Sequence, residues 1–131
     1  MEEQLRRAEY GDLIIIVSDE DHLTYNRPPL SKGFLQGKET REDALFRPDE
    51  WWDEQRIELL TRTSVMKLDA EAREATLSTK EVVRFDKALL ATGANVRRLR
   101  VDGAELEGIH YLRAFGNADS IRDDVKDAER V

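Results

Sequence analysis

Gly11-Asp12-Leu13-Ile14-Ile15-Ile16-Val17-Ser18-Asp19-Glu20 sets an apolar run of five residues, mostly β-branched, between a helix stop and an acidic turn. The run does not alternate between apolar and polar, so both faces of the strand it predicts are apolar. Such a strand belongs inside a parallel sheet covered by helices. The residues before it, 1–9, are good helix formers, and Gly11-Asp12 ends them just ahead of the strand. A helix feeding a doubly covered strand makes the fold class α/β. The run is far shorter than the roughly 20 residues needed to cross a bilayer, so it reads as a core strand.

Working outward, Asn26-Arg27-Pro28-Pro29 predicts an extended, non-helical segment, because each proline restricts itself and its predecessor. Ser31 is placed to begin a short helix through Phe34 and Leu35, and residues 36–44 are polar enough to be a surface connection. Pro48-Asp49-Glu50 makes a good first helical turn, carrying Trp51, Trp52 and Gln55. Ile57–Leu60, Val65–Leu68, Ala75–Leu77 and Val82–Phe85 are short β-type pieces separated by polar turns, which predicts a small antiparallel meander. Lys87 to Ala94 predicts a second buried strand ending in the small-residue turn Ala91-Thr92-Gly93, the kind of strand end where a ligand lies in a parallel sheet. Ile109–Leu112 predicts one more strand, and Asn117 a helix cap for residues up to about Glu129, with Ile121 and Val125 on one face.

Composition narrows the function classes. A chain of 131 residues with 40% hydrophobic content predicts one folded unit. A formal net charge of −7 disfavours phosphate backbones and anionic lipid, so neither nucleic acid nor a membrane is expected as a partner. The absence of cysteine removes disulfides, thiolate metal sites and a redox-active cysteine pair, so any redox chemistry must come from a bound cofactor. Met1 to Arg7 carry acids and no apolar signal core, which gives a cytoplasmic expectation.

Two features carry possible chemistry. Asp19 and Glu20 sit where the second strand of a dinucleotide-binding unit places a carboxylate on the adenosine ribose; the alternative is a solvated acidic turn. In Tyr25 to Lys32, a proline-ordered backbone presents Arg27 and Lys32 as cations suited to a pyrophosphate or an electron-rich ring edge; the alternative is a rigid surface turn. Trp51 and Trp52 read as packing residues, His22 and His110 have no metal-ligand spacing, and no Ser-His-Asp arrangement is supported.

The run Tyr25-Asn26-Arg27-Pro28-Pro29-Leu30-Ser31-Lys32, following the acidic strand end, resembles the signature of the ferredoxin reductase and apoptosis-inducing-factor branch of the pyridine nucleotide-disulfide oxidoreductase-like flavoproteins. Further matches follow in that family's order: Trp51-Trp52 with Glu54, Ile57-Glu58-Leu59, Val65 to Asp69, Lys87 to Ala94, and Gly103 to Arg113. The resemblance implies a partial FAD/NAD(P)-binding Rossmann-like domain over residues 1–108, with parallel strands and a small meander. Residues 109–131 would be the crossing strand and helix towards an NAD(P)-binding domain. It also implies that Asp19 or Glu20 holds the FAD ribose and that Val65 meets the adenine side through its backbone. Arg27 and Lys32 would lie along the flavin and its phosphates, Ala91-Thr92-Gly93 would admit close approach of the cofactor, and Arg113 would be a further flavin contact.

The implied activity moves hydride from NAD(P)H to FAD and then electrons to a ferredoxin-like acceptor. Neither Gly-x-Gly-x-x-Gly loop of that family occurs within these 131 residues, and such loops supply the N–H groups that hold pyrophosphate. The reading is therefore a fragment of such an oxidoreductase that is not competent alone. The alternative is a non-catalytic remnant or binding module that complements another chain carrying the glycine loops; as partners, such a complementing chain or further copies of this one in a homo-oligomer are expected.

Overall fold

The computed structural model describes residues 2–22, 24–126 and 128. Composition predicts one folded unit, whereas the chain forms two compact units, residues 1–24 with 47–91 and residues 25–46 with 92–131. Each has its own interior, which is the physical basis of the division.

In the first unit, helix α1 (Glu2–Arg7) leads into strand β1 (Ile14–Val17). β1 pairs in parallel with β2 (Ile57–Leu60), Ile14 opposite Ile57 through Val17 opposite Leu60. Ile57–Leu60 thus belongs to the parallel pair and not to the meander that its polar flanks suggest. Its apolar side chains and the preceding helix α3 (Asp49–Glu54) make it a strand returning beside β1. The meander itself is β3 (Val65–Asp69), β4 (Glu74–Leu77) and β5 (Val82–Arg84), antiparallel in that order. The Ala72 N–H donates to Asp69 Oδ1 at 2.9 Å and closes the β3–β4 turn; this bond holds the Asp69 carboxyl below its ordinary value. Among the described residues of this unit, Trp52, Ile57, Thr63, Ala75 and Leu77 are buried. β1 is half-buried along its length, less than its fully apolar sequence predicts, and it has one paired edge among the described residues.

Arg6 ties this unit together. Its Nε donates to the Gln55 carbonyl at 2.8 Å, and its two terminal nitrogens reach the Asp12 and Arg56 carbonyls at 2.8 and 3.0 Å and also the carbonyl of Tyr10. The carbonyls at the end of a helix have no partner within it, and a guanidinium fork is well shaped to take several at once. α1 is therefore fixed by one side chain to the end of α3 and the start of β2.

In the second unit the core is Tyr25, Leu30, Phe34, Ala44, Phe115 and Ala118. Tyr25 and Phe34 lie 4.3 and 4.8 Å, centroid to centroid, from Phe115. Helix α4 (Phe115–Lys126) contributes Phe115 and Ala118 to that core. Asn117 is not its N-cap: its Oδ1 accepts from the N–H groups of Arg113 and Ala114, which places it inside the first turn, reaching back. Glu129, where the sequence ends this helix, lies outside the described residues. The buried stripe runs through Phe115 and Ala118 to the half-buried Ile121, and Val125 is exposed.

Three other expectations change. Pro28–Ser31 is a 3₁₀ helix and not an extended segment, because proline's fixed φ suits a first helical position as well as an extended one. Ser31 consequently ends that helix and does not begin one. Within 36–44, expected to be a plain surface connection, Arg41–Ala44 forms helix α2 behind a capping box: the Thr40 hydroxyl accepts from the Asp43 N–H, and the Asp43 carboxylate accepts from the Thr40 N–H. Residues 87–94 and 109–112 form no strand; a strand exists only where a neighbour supplies N–H and C=O groups, and none of the described ladders includes them.

Candidate functional site

The first group of candidate residues lies at the end of β1. The Ser18 N–H donates to the Leu60 carbonyl, the Thr63 N–H to the Ser18 carbonyl and the Arg62 N–H to the Glu20 carbonyl, all at 2.9 Å. The acidic turn is thereby stitched to the turn that follows β2. Glu20 N–H also reaches Ser18 Oγ at 3.3 Å. With the main chain so occupied, the Asp19 side chain is exposed and Glu20 is half-buried. The Asp21 carboxylate lies near His22 Nε2 at 2.9 Å and the Arg62 guanidinium at 3.7 Å. Val65 begins β3 just beyond the same turn, opposite Leu77. Asp19, Glu20 and Val65, separate in sequence, are thus brought to one edge of the first unit. Ala91 closes that unit in sequence and is exposed.

A second group lies in the other unit. Arg27 and Lys32 flank the 3₁₀ helix, Arg27 as its N-cap and Lys32 as its C-cap, where the Lys32 N–H donates to the Pro29 carbonyl. The Arg27 guanidinium sits 5.2 Å from the Tyr25 ring centroid, donates to the Tyr25 hydroxyl at 3.3 Å and to the Arg113 carbonyl at 2.7 Å. Gly93 has φ +65°, and a Cβ there would lie 2.9 Å from Arg113 Nη2. Glycine is needed twice over at this position, for the left-handed backbone and for the space the guanidinium occupies. Arg113 therefore meets both Arg27, through its carbonyl, and Gly93, through its guanidinium; Thr92, next to Gly93 in sequence, is exposed.

Arg62 was not singled out in the sequence, yet it bonds the acidic turn through its backbone and faces Asp21 through its side chain, from a left-handed conformation of φ 50°. No periodicity or motif signals such a residue. Among the described residues no group of His, Asp or Glu is arranged to hold a metal ion, and no helix is long and apolar enough to cross a membrane.

The profile of the pyridine nucleotide-disulphide oxidoreductase family matches residues 2–131. The chain belongs to this family. Rhodocoxin reductase of Rhodococcus erythropolis is 39% identical over 117 residues, covering 89% of the chain and 27% of that protein. The crystal structure of the ferredoxin reductase for the CYP199A2 system from Rhodopseudomonas palustris superposes with a TM-score of 0.88 at 34% identity, over 96% of this chain and 31% of that one. Putidaredoxin reductase, solved as a covalent complex with putidaredoxin, gives 0.84 at 31% identity, over 92% and 30%. The chain thus spans less than a third of the length of these relatives. The fold is that of the FAD/NAD-binding Rossmann-like reductases, here as a parallel strand pair and an antiparallel meander.

Family membership implies FAD, and the residues present suit it. In the second unit the Arg113 guanidinium lies against a glycine whose missing Cβ leaves room for it, and its carbonyl accepts from Arg27; in the first unit an exposed carboxylate stands at a parallel strand end. The family's disulphide chemistry has no counterpart in these residues, because the chain contains no cysteine.

Proposed function

We propose that this chain is the FAD-contacting segment of an NAD(P)H-dependent reductase that serves a ferredoxin- or rubredoxin-like carrier. The observation that carries the reading is the meeting of Arg113 with both Arg27 and Gly93, residues from three separate motifs of the sequence. Asp19 or Glu20 accepts hydrogen bonds from the adenosine ribose, and the backbone at Val65 meets the adenine. Arg27 and Lys32 neutralise phosphate and flavin charge, Ala91-Thr92-Gly93 lets the chain lie close to the ring, and Arg113 stabilises the anionic reduced form by charge. Bound FAD supplies hydride acceptance from a nicotinamide and release of electrons one at a time. Soluble, cytoplasmic operation with a small carrier protein accords with the acidic composition and with a relative solved bound to putidaredoxin.

The chain holds no glycine-rich phosphate loop, so affinity for FAD by these residues alone is expected to be weak and turnover absent. FAD titration followed by flavin fluorescence tests the reading. Saturable quenching that is lost in both Asp19→Ala and Lys32→Ala supports it; binding that ignores both substitutions places the site elsewhere. A second reading, a module that completes another chain, predicts that co-expression with a chain carrying the glycine loops restores NAD(P)H-dependent dye reduction.

A further inference from the structure

Arg97, Arg98 and Arg100 put three cations into four positions of an otherwise acidic chain. The segment has no regular structure, yet it is held: the Tyr111 hydroxyl accepts from the Leu99 N–H at 2.9 Å, and the Arg98 guanidinium lies 5.6 Å from the Tyr111 ring centroid. Both anchors belong to the same unit as the loop. All three arginines are exposed, and Leu99 and Val101 beside them are 59% and 63% exposed. The nearby carboxylates Asp102, Glu105 and Glu107 form no ion pair with these arginines among the described residues, so the charges are not cancelled locally.

We infer that residues 96–101 are a docking surface for the acidic face of a small protein, and that the partner is the electron carrier; this rests on the reductase reading above. A protein face suits the surface better than a small anion does. The loop forms an open depression lined by Val96 to Arg100, without the enclosing donors that a free phosphate needs, and its cations alternate with bare apolar side chains. Guanidinium with exposed aliphatic surface is the mixture from which protein interfaces are made. The excess negative charge of the chain argues against nucleic acid. Pinning by Tyr111 lowers the entropy cost of binding, because the loop is ordered before the partner arrives. The cations steer an acidic partner from a distance, so association weakens as salt rises.

The test titrates a [2Fe–2S] ferredoxin into the isotope-labelled chain and follows backbone amide resonances. Paramagnetic broadening at residues 96–101 and Tyr111, diminished by salt, is expected. The double variant Arg97→Glu with Arg100→Glu should weaken binding at least about tenfold, with the thermal transition unchanged; Arg97→Gln with Arg100→Gln should give a smaller loss in the same direction. Broadening centred elsewhere overturns the docking surface and leaves the carrier reading standing. No perturbation at any residue overturns both. Equal competition by inorganic phosphate at matched ionic strength overturns a protein partner in favour of a simple anion site.

Discussion

Arg27 donates through Nη1 to the carbonyl of Arg113 at 2.7 Å, although the two residues are 86 positions apart. The bond does more than join two loops. A guanidinium held by a carbonyl, the Tyr25 hydroxyl and the Tyr25 ring keeps a fixed place. Fixed positive charge is what an anionic cofactor requires, since a mobile lysine would have to be ordered on binding.

Arg27→Ala removes a charge-assisted hydrogen bond and a cation–π contact at an exposed site, and should lower stability by about 1 to 2 kcal/mol. Arg27→Lys should recover only part of this, because an ammonium lacks the planar fork. Urea unfolding of the two variants checks the ordering; equal losses for both would mean that the fork geometry is irrelevant.

At position 93 a methyl group meets Arg113 Nη2 at 2.9 Å in a backbone with φ +65°. Gly93→Ala is therefore expected to cost about 1 to 2 kcal/mol from the left-handed backbone alone and to displace the Arg113 guanidinium. FAD binding should fall more steeply than stability does. Parallel measurement of flavin affinity and thermal transition separates the two effects, and an affinity unchanged by this substitution would remove Gly93 from the site.

The resemblance carried by the Arg-Pro-Pro-Leu-Ser-Lys run was legible in the sequence because a rigid, specific motif survives without its context. The parallel placement of β1 was legible from an apolar run with no alternation, and β3 to β5 from short β-type pieces between polar turns. What failed depended on partners. Lys87 to Ala94 has the composition of a strand, but composition cannot say whether a neighbour's N–H groups lie alongside, and among the described ladders none does. Pro28-Pro29 was ambiguous because the same φ begins a 3₁₀ helix or extends a loop. The division into two units was not legible, because Phe115 meets Tyr25 and Phe34 only through folding. Thr40-Arg41-Glu42-Asp43 did carry a capping-box pattern that identifies α2.

Arg6 holds four main-chain carbonyls from two segments, those of Tyr10 and Asp12 and those of Gln55 and Arg56. Arg6→Met keeps the stem and removes every donor, so it should destabilise the first unit by about 2 to 3 kcal/mol. Hydrogen exchange should then show α1 and the amides around Arg56 opening together. A loss confined to α1 would mean that the guanidinium does not couple the segments.

Arg62 holds φ 50° without being glycine, and its side chain is 78% exposed. The backbone strain of a left-handed residue is about 1 to 2 kcal/mol, whereas glycine adds about 0.5 to 1 kcal/mol of chain entropy to the unfolded state. The 3.7 Å approach to Asp21 is a surface pair worth less than about 1 kcal/mol. Arg62→Gly should accordingly be neutral or slightly stabilising, and Arg62→Val clearly destabilising, because a β-branched side chain tolerates this backbone poorly. Thermal melts of both variants decide the matter; a destabilising glycine would show that the Asp21 contact outweighs the strain.

The Asp43 carboxylate accepts from the Thr40 N–H at 2.8 Å and from the Thr40 hydroxyl at 3.0 Å. The backbone bond is the larger influence and the hydroxyl the smaller, and together they hold the carboxyl below its ordinary value against a slight opposing effect of desolvation. A carboxyl whose folded value lies below its unfolded one stabilises the fold wherever pH exceeds the unfolded value, and that contribution disappears as pH falls through the folded value. Asp43→Asn keeps the shape but weakens the acceptor, so its thermal transition should lie below that of the parent chain at neutral pH. The gap should narrow on acidification through the carboxylate range and close once Asp43 is protonated in both the folded and unfolded states. Because Ala44, at the end of α2, is fully buried, fraying of this short helix reaches the core of its unit, and the effect should appear in the cooperative transition. A gap independent of pH would show that the capping box acts through shape and not through charge.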